Sequence, residues 1–518
     1  MKASSRVVFN TGVQYARTFI GACIAFYSSR IILKSLGASD YGIYNLVAGV
    51  ITFLGVINIA LSSSTQRYLS FYQGKNDGEM QAKIFNNSIV TQLAIGLILA
   101  IGMFILTPFI FDGFLNIPSD RIHSATAVYY SLIVTVFFSM LTMPYMAALV
   151  AHENIVFSSI VQIADALLKL IIALSLLSIL SDRLIYYAIM MAVIAFLDFC
   201  VYVIYCRNRY EECRHFTLKS FDKKLLKEIF VFSGWMIYGT VCVVGRTQGI
   251  AVIFNQFFGT MINAAYGIAQ QLSGQATFIS NSLLNAIRPQ IIKAEGGLDR
   301  EKMLRLAEIA SKFSLLLLSI IAIPAVFEMD NILNIWLENV PDHTKTFCQF
   351  VLLTALADQL TIGLAYASQA IGNIKGYSLA INTIKIITLP AAYLCLHFGL
   401  QPAAVMVCML SFEFICAISR LFFLKKTAGL PITGFIKRVF VPEFIPVVCT
   451  TIVCWASHLI LPYYLFWIPF LLSAVTICIT TYKLGLCEDE KQIINNVLAA
   501  FKTGMRRNIT SQKQNPEP

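Results

Sequence analysis

The chain has 518 residues, of which 57% are hydrophobic and 13% are charged, and its formal net charge is +11. A soluble domain carries about 25% charged residues, so this composition favours a membrane protein over one with a large soluble core. The positive charge is divided among several short loops instead of being gathered on one face, which argues against a nucleic-acid-binding protein.

Fourteen long apolar stretches follow one another along the chain. Because a run of about 20 apolar residues crosses the bilayer core as a helix, each predicts a transmembrane helix. The first contains Asn10, Gln14 and Arg17 and is followed by thirteen more, so we expect it to stay rather than to be cleaved as a signal peptide. The predicted spans are 7–33, 41–63, 84–110, 124–150, 155–180, 184–206, 228–257, 262–287, 307–328, 345–371, 376–398, 402–424, 438–461 and 463–485.

The basic residues predict the orientation of these helices. Counted against these spans, 26 of the 39 Lys and Arg residues lie in alternate gaps, three lie in the other gaps, and ten lie inside the spans. Loops rich in Lys and Arg stay on the cytoplasmic side, so we predict a polytopic protein of the bacterial inner membrane with both termini in the cytoplasm. The basic segments, which suit anionic membrane lipids, are 67–83, 207–227, 288–312, 420–438 and the tail after residue 483.

An internal repeat predicts two similar halves. The tripeptide Tyr-Gly-Ile at 41–43 recurs 225 residues later at 266–268, and Pro108 with Leu-Asn-Ile at 115–117 recurs as Pro324 with the same tripeptide at 333–335. Six spans separate equivalent positions, so both copies cross the membrane in the same sense, as in one class of secondary transporter. A duplicated bundle without transport is the alternative. The predicted domains are a six-helix bundle at 1–206, a basic linker at 207–227, a second bundle at 228–425, an extra helix pair at 426–485, and an amphipathic helix with a tail at 486–518.

Polar side chains recur on one stripe of the first, second and eighth predicted helices. Polar groups in a membrane are costly, so we expect them to line a water-filled, substrate-binding cavity between the halves. Small and amide residues also hold transmembrane helices together, which is the competing interpretation. The amide residues concerned are Asn10, Gln14, Asn45, Asn58, Gln270, Asn281 and Asn285.

Arg17 and Arg246 place cations on the same group of helices. A guanidinium remains charged and presents a planar fork that fits phosphate oxygens, so both residues suit a pyrophosphate or another anionic headgroup. An interhelical ion pair is the alternative for either residue.

Four acids inside the spans are candidates for binding a coupling ion, H+ or Na+: Asp165, Asp198, Asp358 and Glu413. Asp165 lies four residues before Lys169 on one predicted helix, so we expect these two to neutralise each other. Lys385 can pair in the same way with Asp358 or Glu413.

Motifs for catalysis or for a bound cofactor are not apparent. The chain has no phosphate-binding loop of the G-x-x-x-x-G-K-[ST] type, no H-E-x-x-H spacing and no paired cysteine motif. Its thirteen cysteines lie mostly in apolar helices and are interpreted as packing residues. We therefore predict a protein that is not an enzyme and has no metal or cofactor, apart from possible H+ or Na+ coupling.

Three segments resemble bacterial polysaccharide flippases: 30–44 (RIILKSLGASDYGIY), 226–235 (LKEIFVFSGW) and 265–269 (AYGIA). The chain is similar to the Wzx-type O-antigen and capsule exporters of the multidrug/oligosaccharidyl-lipid/polysaccharide superfamily. The resemblance implies a V-shaped pair of six-helix bundles with a basic central cavity and alternating access. It also implies that an undecaprenyl-diphosphate-linked oligosaccharide is the cargo, that Arg17 and Arg246 are cavity arginines, and that the helix pair at 438–485 holds the prenyl tail.

Membrane lipids and polysaccharide polymerase machinery are the further partners we expect, and nucleic acid is not one. Two other functions remain open. A cation-coupled drug exporter of the same superfamily would depend on unpaired cavity acids more than on the arginines. A membrane component of a polysaccharide synthase that does not itself transport would tolerate loss of the polar stripe.

Overall fold

The computed structural model of the chain describes residues 3–109, 111, 121–179, 182–214, 222–337, 340–460 and 465–492. These residues are almost entirely helical, and no strand occurs among them, so the predicted all-α class is confirmed. The helices are α1 (Ala3–Gly74), α2 (Gly78–Phe109), α3 (Ile122–Ala151), α4 (Ile155–Ser175), α5 (Arg183–Arg209), α6 (Lys223–Gly296), α7 (Arg300–Phe327), α8 (Met329–Trp336), α9 (Thr344–Gln359), α10 (Ile362–Ile371), α11 (Ile374–Tyr377), α12 (Thr383–His397), α13 (Pro402–Ala428), α14 (Ile432–Phe435), α15 (Val441–Ile460) and α16 (Ile468–Thr480).

Ten helices in the described part of the chain are long and apolar enough to cross a membrane, and α9 with α10, bent by 44°, adds an eleventh span. These eleven match eleven of the fourteen predicted spans. The other three, 7–33, 41–63 and 262–287, are helical parts of α1 and α6 that carry the polar stripes. Polar residues lower the mean hydropathy of a span, so the total of fourteen stays a prediction.

Single glycines break the two longest helices. Gly37 in α1 has φ 79° and ψ 167°, and Gly259 in α6 has φ 76° and ψ −163°. Glycine adopts a positive φ without the steric cost that other residues incur. Gly259 lies 222 residues after Gly37, within the range of offsets of the predicted repeat.

Acidic side chains begin several helices. Asp222 accepts bonds from the backbone N–H groups of Lys224 and Leu225 at the start of α6, and Asp182 does the same for two residues of α5. Such caps satisfy N–H groups that have no partner within the helix, and each stabilises it by about 0.5–2 kcal/mol.

Three π-helical turns interrupt the later helices: Ser378–Asn382 before α12, Ile436–Phe440 before α15 and Thr481–Gly485 after α16. A π turn inserts one extra residue into a helix and changes which side chains face a neighbour, and such turns are frequent at functional sites.

The chain divides into two compact units. The N-terminal unit comprises 12–240 and 292–298, and its core packs Tyr129 and Leu132 of α3 with Leu184 and Ala188 of α5. The C-terminal unit comprises 1–11, 241–291 and 299–518, with Phe254 of α6 stacked on Phe347 of α9 at 5.1 Å. The division falls inside α6. The predicted domain boundaries stay a prediction, and the predicted amphipathic helix beyond residue 492 lies outside the described residues.

Within the N-terminal unit, the end of α1 lies against the last residues of α6 and the turn that follows it. A Cβ added to Gly74 would lie 2.1 Å from the carbonyl oxygen of Lys293, and one added to Gly296 would lie 1.9 Å from that of Phe71. Glycine is therefore needed at both positions for the two backbones to touch. Lys293 also forms an ion pair with Glu153, with Nζ and Oε1 2.8 Å apart.

Candidate functional site

Five charged side chains meet inside the C-terminal unit, from four helices. This charge cluster consists of Arg246 (α6), Asp358 (α9), Lys385 (α12), Glu413 (α13) and Arg420 (α13). Four of the five side chains are buried, with at most 10% of each exposed, whereas Asp358 keeps 24% of its side chain exposed. All five lie in predicted spans, so the cluster places a polar centre among apolar helices.

Glu413 joins the cations of three helices. Its Oε2 accepts a hydrogen bond from Arg246 Nη1 at 2.8 Å, and its Oε1 lies 3.0 Å from Lys385 Nζ and 3.8 Å from Arg420 Nη2. Only 1% of the Glu413 side chain is exposed. Its charge is therefore balanced by protein cations and not by solvent.

Asp358 is the second acid of the charge cluster. Its Oδ1 accepts from Arg420 Nη2 at 2.7 Å and from Lys385 Nζ at 3.2 Å. Arg420 also donates to the backbone oxygen of Asp358, to Thr361 Oγ1 and to Tyr377 Oη, each at 3.2 Å. At the bend between α9 and α10 that backbone oxygen accepts a long 3.4 Å bond from the Thr361 N–H, and Arg420 adds a stronger donor.

Local structure explains how Lys385 reaches both acids. The π turn Ser378–Asn382 ends three residues before Lys385, and the thiol of Cys416 on α13 donates to the Ile381 carbonyl at 3.8 Å. A π turn leaves one carbonyl without its usual partner and rotates the following residues, which turns Lys385 toward α9 and α13.

The balance of charge in this cluster is positive, with three cations against two acids. Buried ion pairs lose their hydration, and they are tolerated where each charge finds a close partner. Here both acids lie within 4 Å of at least two cations, and one positive charge is left over. This excess positive charge can attract an anionic group.

The expected pairing of Lys385 with Asp358 or Glu413 is confirmed, since it contacts both acids. For Arg246 the structure contains the interhelical ion pair that we weighed as the alternative, and its contact with phosphate stays a prediction. Arg420 lies inside the predicted span 402–424 and also begins the predicted basic segment 420–438, and it was not among the candidate site residues. Helix α13 continues to Ala428, and 2% of the Arg420 side chain is exposed. Its spacing of seven from Glu413, two helical turns on one face, was the available signal.

A second polar group lies in the N-terminal unit, around Arg17. Its Nη1 donates to Gln162 Oε1 of α4 at 2.7 Å, and its Nη2 donates to Thr18 Oγ1 at 3.3 Å. Gln162 in turn donates to Ser158. All of these partners are neutral, so the half-buried guanidinium has no carboxylate against it within the described residues.

The acids of this unit behave differently from one another. Lys169 Nζ donates to Asp165 Oδ2 at 2.8 Å, so the predicted pair is confirmed. Asp198 of α5 is half-buried and forms no hydrogen bond or ion pair within the described residues. Asp165 and Lys169 are its charged neighbours. Ion coupling by any of the four candidate acids stays a prediction.

The amide stripe has mixed exposure. Asn10 and Gln14 are buried, Asn58 and Gln270 are half-buried, and Asn281 and Asn285 are exposed. The side chain of Asn45 lies outside the described residues. That these amides line one cavity stays a prediction. In the described part of the chain, no group of three or more His, Cys, Asp or Glu side chains is placed to hold a metal ion.

The apolar helices and the charges buried among them define a multi-pass membrane protein. A family model described as "Polysaccharide biosynthesis protein" matches residues 5–295, more than half of the chain. The chain belongs to this family. No curated protein sequence matches the chain.

Several solved structures share the fold. A MATE in the bent conformation is 14% identical, with a TM-score of 0.68, and the match covers 83% of this chain and 100% of that one. A MATE in complex with MaL6 is 13% identical, with a TM-score of 0.66 and coverage of 84% and 100%. A MOP superfamily transporter from Pyrococcus furiosus, described as having a binding pocket of reverse polarity, is 13% identical, with a TM-score of 0.67 and coverage of 83% and 98%.

Proposed function

We propose that this protein moves an undecaprenyl-diphosphate-linked oligosaccharide across the bacterial cytoplasmic membrane by alternating access, for synthesis of a surface polysaccharide such as O-antigen or capsule. The match to the polysaccharide biosynthesis family over residues 5–295 carries the proposal. Both termini would then lie in the cytoplasm. The partners are membrane lipids and the polymerase that receives the translocated units.

The buried charges support an anionic cargo. Arg17 bonds only to neutral groups, and the charge cluster around Glu413 has one more cation than acids. A diphosphate accepts hydrogen bonds from guanidinium groups in a bidentate manner, and such charge-assisted bonds are about twice as strong as neutral ones. A cationic drug would meet repulsion at the same positions.

The test follows the lipid-linked intermediate. Cells lacking the gene are labelled with a radioactive sugar, and undecaprenyl-diphosphate oligosaccharides are measured on each face of the membrane together with surface polymer. We expect repeat units to accumulate on the cytoplasmic face while surface polymer is lost. Normal lipid intermediates together with sensitivity to cationic drugs would refute the proposal and indicate a drug exporter.

Variants of Arg17 test whether this guanidinium contacts the phosphate of the cargo. Arg17→Ala should abolish complementation of the deletion, and Arg17→Lys should restore it in part, because an ammonium keeps the charge but not the planar fork. Lys169→Met is the control, since Lys169 is also an intramembrane cation of the N-terminal unit but is paired with Asp165. Equal export by Arg17→Ala and Lys169→Met at equal protein levels would contradict the phosphate contact.

A further inference from the structure

Glu443 is a buried acid that has no partner among the described residues. It lies in α15, three residues after the π turn Ile436–Phe440, and only 1% of the residue is exposed. Neither of its carboxyl oxygens has a hydrogen-bond partner in the described part of the chain. An ionised carboxylate in such a place loses its hydration without compensation, so the neutral, protonated form is the one that fits these surroundings. Sequence analysis did not single out this residue.

Glu443 is one of the residues that line an apolar cavity of about 210 Å³. The cavity lies within the C-terminal unit, and its other lining residues are Leu315, Leu360, Phe440, Phe444 and Val447. None of these offers a charge or a side-chain hydrogen bond. The cavity therefore accommodates a neutral acid group and leaves room for a side chain to move.

A second set of charges lies beside this cavity. Lys312 of α7 has no exposed side-chain surface, and its Nζ donates to Glu490 Oε2 at 2.6 Å. The other oxygen of Glu490 accepts from Arg305 Nη2 at 2.9 Å. Glu490 thus has two cations, and it would keep Arg305 if Lys312 moved away.

The charges of this set balance without Glu443. Arg305 also contacts Glu308 at 3.1 Å and Asp489 at 2.7 Å, and Arg438 lies 3.8 Å from Glu308. Three cations therefore face three acids: Arg305, Lys312 and Arg438 against Glu308, Asp489 and Glu490. Within the described residues, no cation of this set is left for Glu443 while Lys312 is bound to Glu490.

Among the elements packed against α15, two carry the charges that act on Glu443. They are α7, through Lys312, and the segment after Gly485, through Glu490. Helix α16 carries no charged residue, and Lys437, Arg438 and Lys483 of the adjacent π turns are exposed. Lys312 is thus the cation that is placed to exchange partners.

We propose that Glu443 is a proton-binding site that works by exchange of Lys312 between two acids. With Lys312 on Glu490, the Glu443 carboxyl holds its proton. When Lys312 turns to Glu443, that proton leaves to water, the resulting carboxylate takes the ammonium group, and Glu490 stays paired with Arg305. This deepens the proposed transport function, on which it rests, by naming the proton as the ion that the transporter exchanges.

Infrared difference spectroscopy of the purified full-length protein tests the protonation directly. We expect the carbonyl stretch of a protonated carboxylic acid at neutral pH, and we expect Glu443→Gln to remove it. In Lys312→Met the band should persist to more alkaline pH, because the alternative cation is gone. Glu488→Gln is the matched control, since that acid is 91% exposed, and it should leave the band unchanged. Identical spectra for the wild type and Glu443→Gln would overturn the proposal.

Proton movement is then measured in proteoliposomes under an imposed pH gradient, with a pH-sensitive dye and no oligosaccharide. Glu443→Gln and Lys312→Met should lower the flux to that of protein-free vesicles, while Glu488→Gln keeps the wild-type flux. Wild-type flux in Glu443→Gln would overturn the exchange. Failure of the proposed function has a different signature, in which band and flux are intact but no lipid-linked oligosaccharide is transported.

Discussion

Glu413 and Arg246 form a direct ion pair, yet the charge cluster predicts unequal effects of removing them. In Glu413→Gln, three cations remain around Asp358 alone. In Arg246→Gln, Lys385 and Arg420 remain with two acids, so the charges balance and Glu413 keeps Lys385 at 3.0 Å. The loss of the acid should therefore destabilise the protein more than the loss of the cation.

Magnitudes follow from the burial of each group. Removing one partner of a buried pair and leaving charge uncompensated costs about 3–5 kcal/mol, which we expect for Glu413→Gln. Arg246→Gln removes one hydrogen bond to a charged group, which is worth about 1.5–3 kcal/mol, and leaves no orphaned charge. Combining the two substitutions should cost less than the sum, because the extra positive charge left by Glu413→Gln is then absent.

The assay is unfolding of the purified protein in detergent, followed by intrinsic fluorescence, for the wild type, both single variants and the double variant. Export is measured on the same variants. We expect Arg246→Gln to retain most of its stability while export falls, if its guanidinium also contacts phosphate. Equal destabilisation by the two single variants, or strict additivity in the double variant, would refute the idea that the net charge of the cluster determines these effects.

Three other expectations concern the backbone, the pH dependence and the cysteines. Gly296→Ala should lower the free energy of unfolding by about 1–3 kcal/mol, because the new methyl group would meet the Phe71 carbonyl. Gly267→Ala, on the same helix but with open space around it, should be neutral or slightly stabilising. Equal unfolding curves for the two variants would contradict the close approach of the two backbones. Burial raises the pKa of Glu212, but the hydrogen bond from His152 and the charge of His152 outweigh burial and hold the Glu212 pKa below its usual value. The pair therefore stabilises the fold at pH values above the ordinary carboxyl pKa, and this stabilisation is lost as the pH falls through the lowered pKa of Glu212. Glu212→Gln should flatten the acid side of a plot of Tm against pH and the exposed Glu211→Gln should not; an unchanged acid limb in Glu212→Gln would show that the pair contributes nothing. A variant with all thirteen free cysteines replaced by Ala or Ser should still export polysaccharide, and loss of export in a folded, membrane-inserted variant would disprove their interpretation as packing residues.

Apolar runs were enough to predict the helical membrane class, because a length of about 20 apolar residues has few other stable solutions. The pairs Lys169–Asp165 and Lys385–Asp358 were also predictable, the first from helical spacing and the second from the cost of an unpaired charge in the membrane. Partners of this kind follow from elementary electrostatics.

Site residues near helix ends were harder to predict from the sequence. Arg420 and Lys312 lie near the ends of predicted spans and also bound the basic segments 420–438 and 288–312, so neither was singled out as a site residue, whereas α13 and α7 bury both side chains. Glu443 sits at such an end too. The π turns that orient Lys385 and precede Glu443 have no sequence signature that we could read, since they depend on packing between helices.

Gly37 and Gly259 each join two helices through a single residue, so neither junction contains a flexible linker. A reorientation of one helix must either be transmitted to its successor or be absorbed by the two dihedral angles of a single glycine. For the same reason, each junction tolerates no change in the number of residues between its two helices. One inserted residue would turn the following helix by about 100° about its own axis, and its polar stripe would then face a different neighbour.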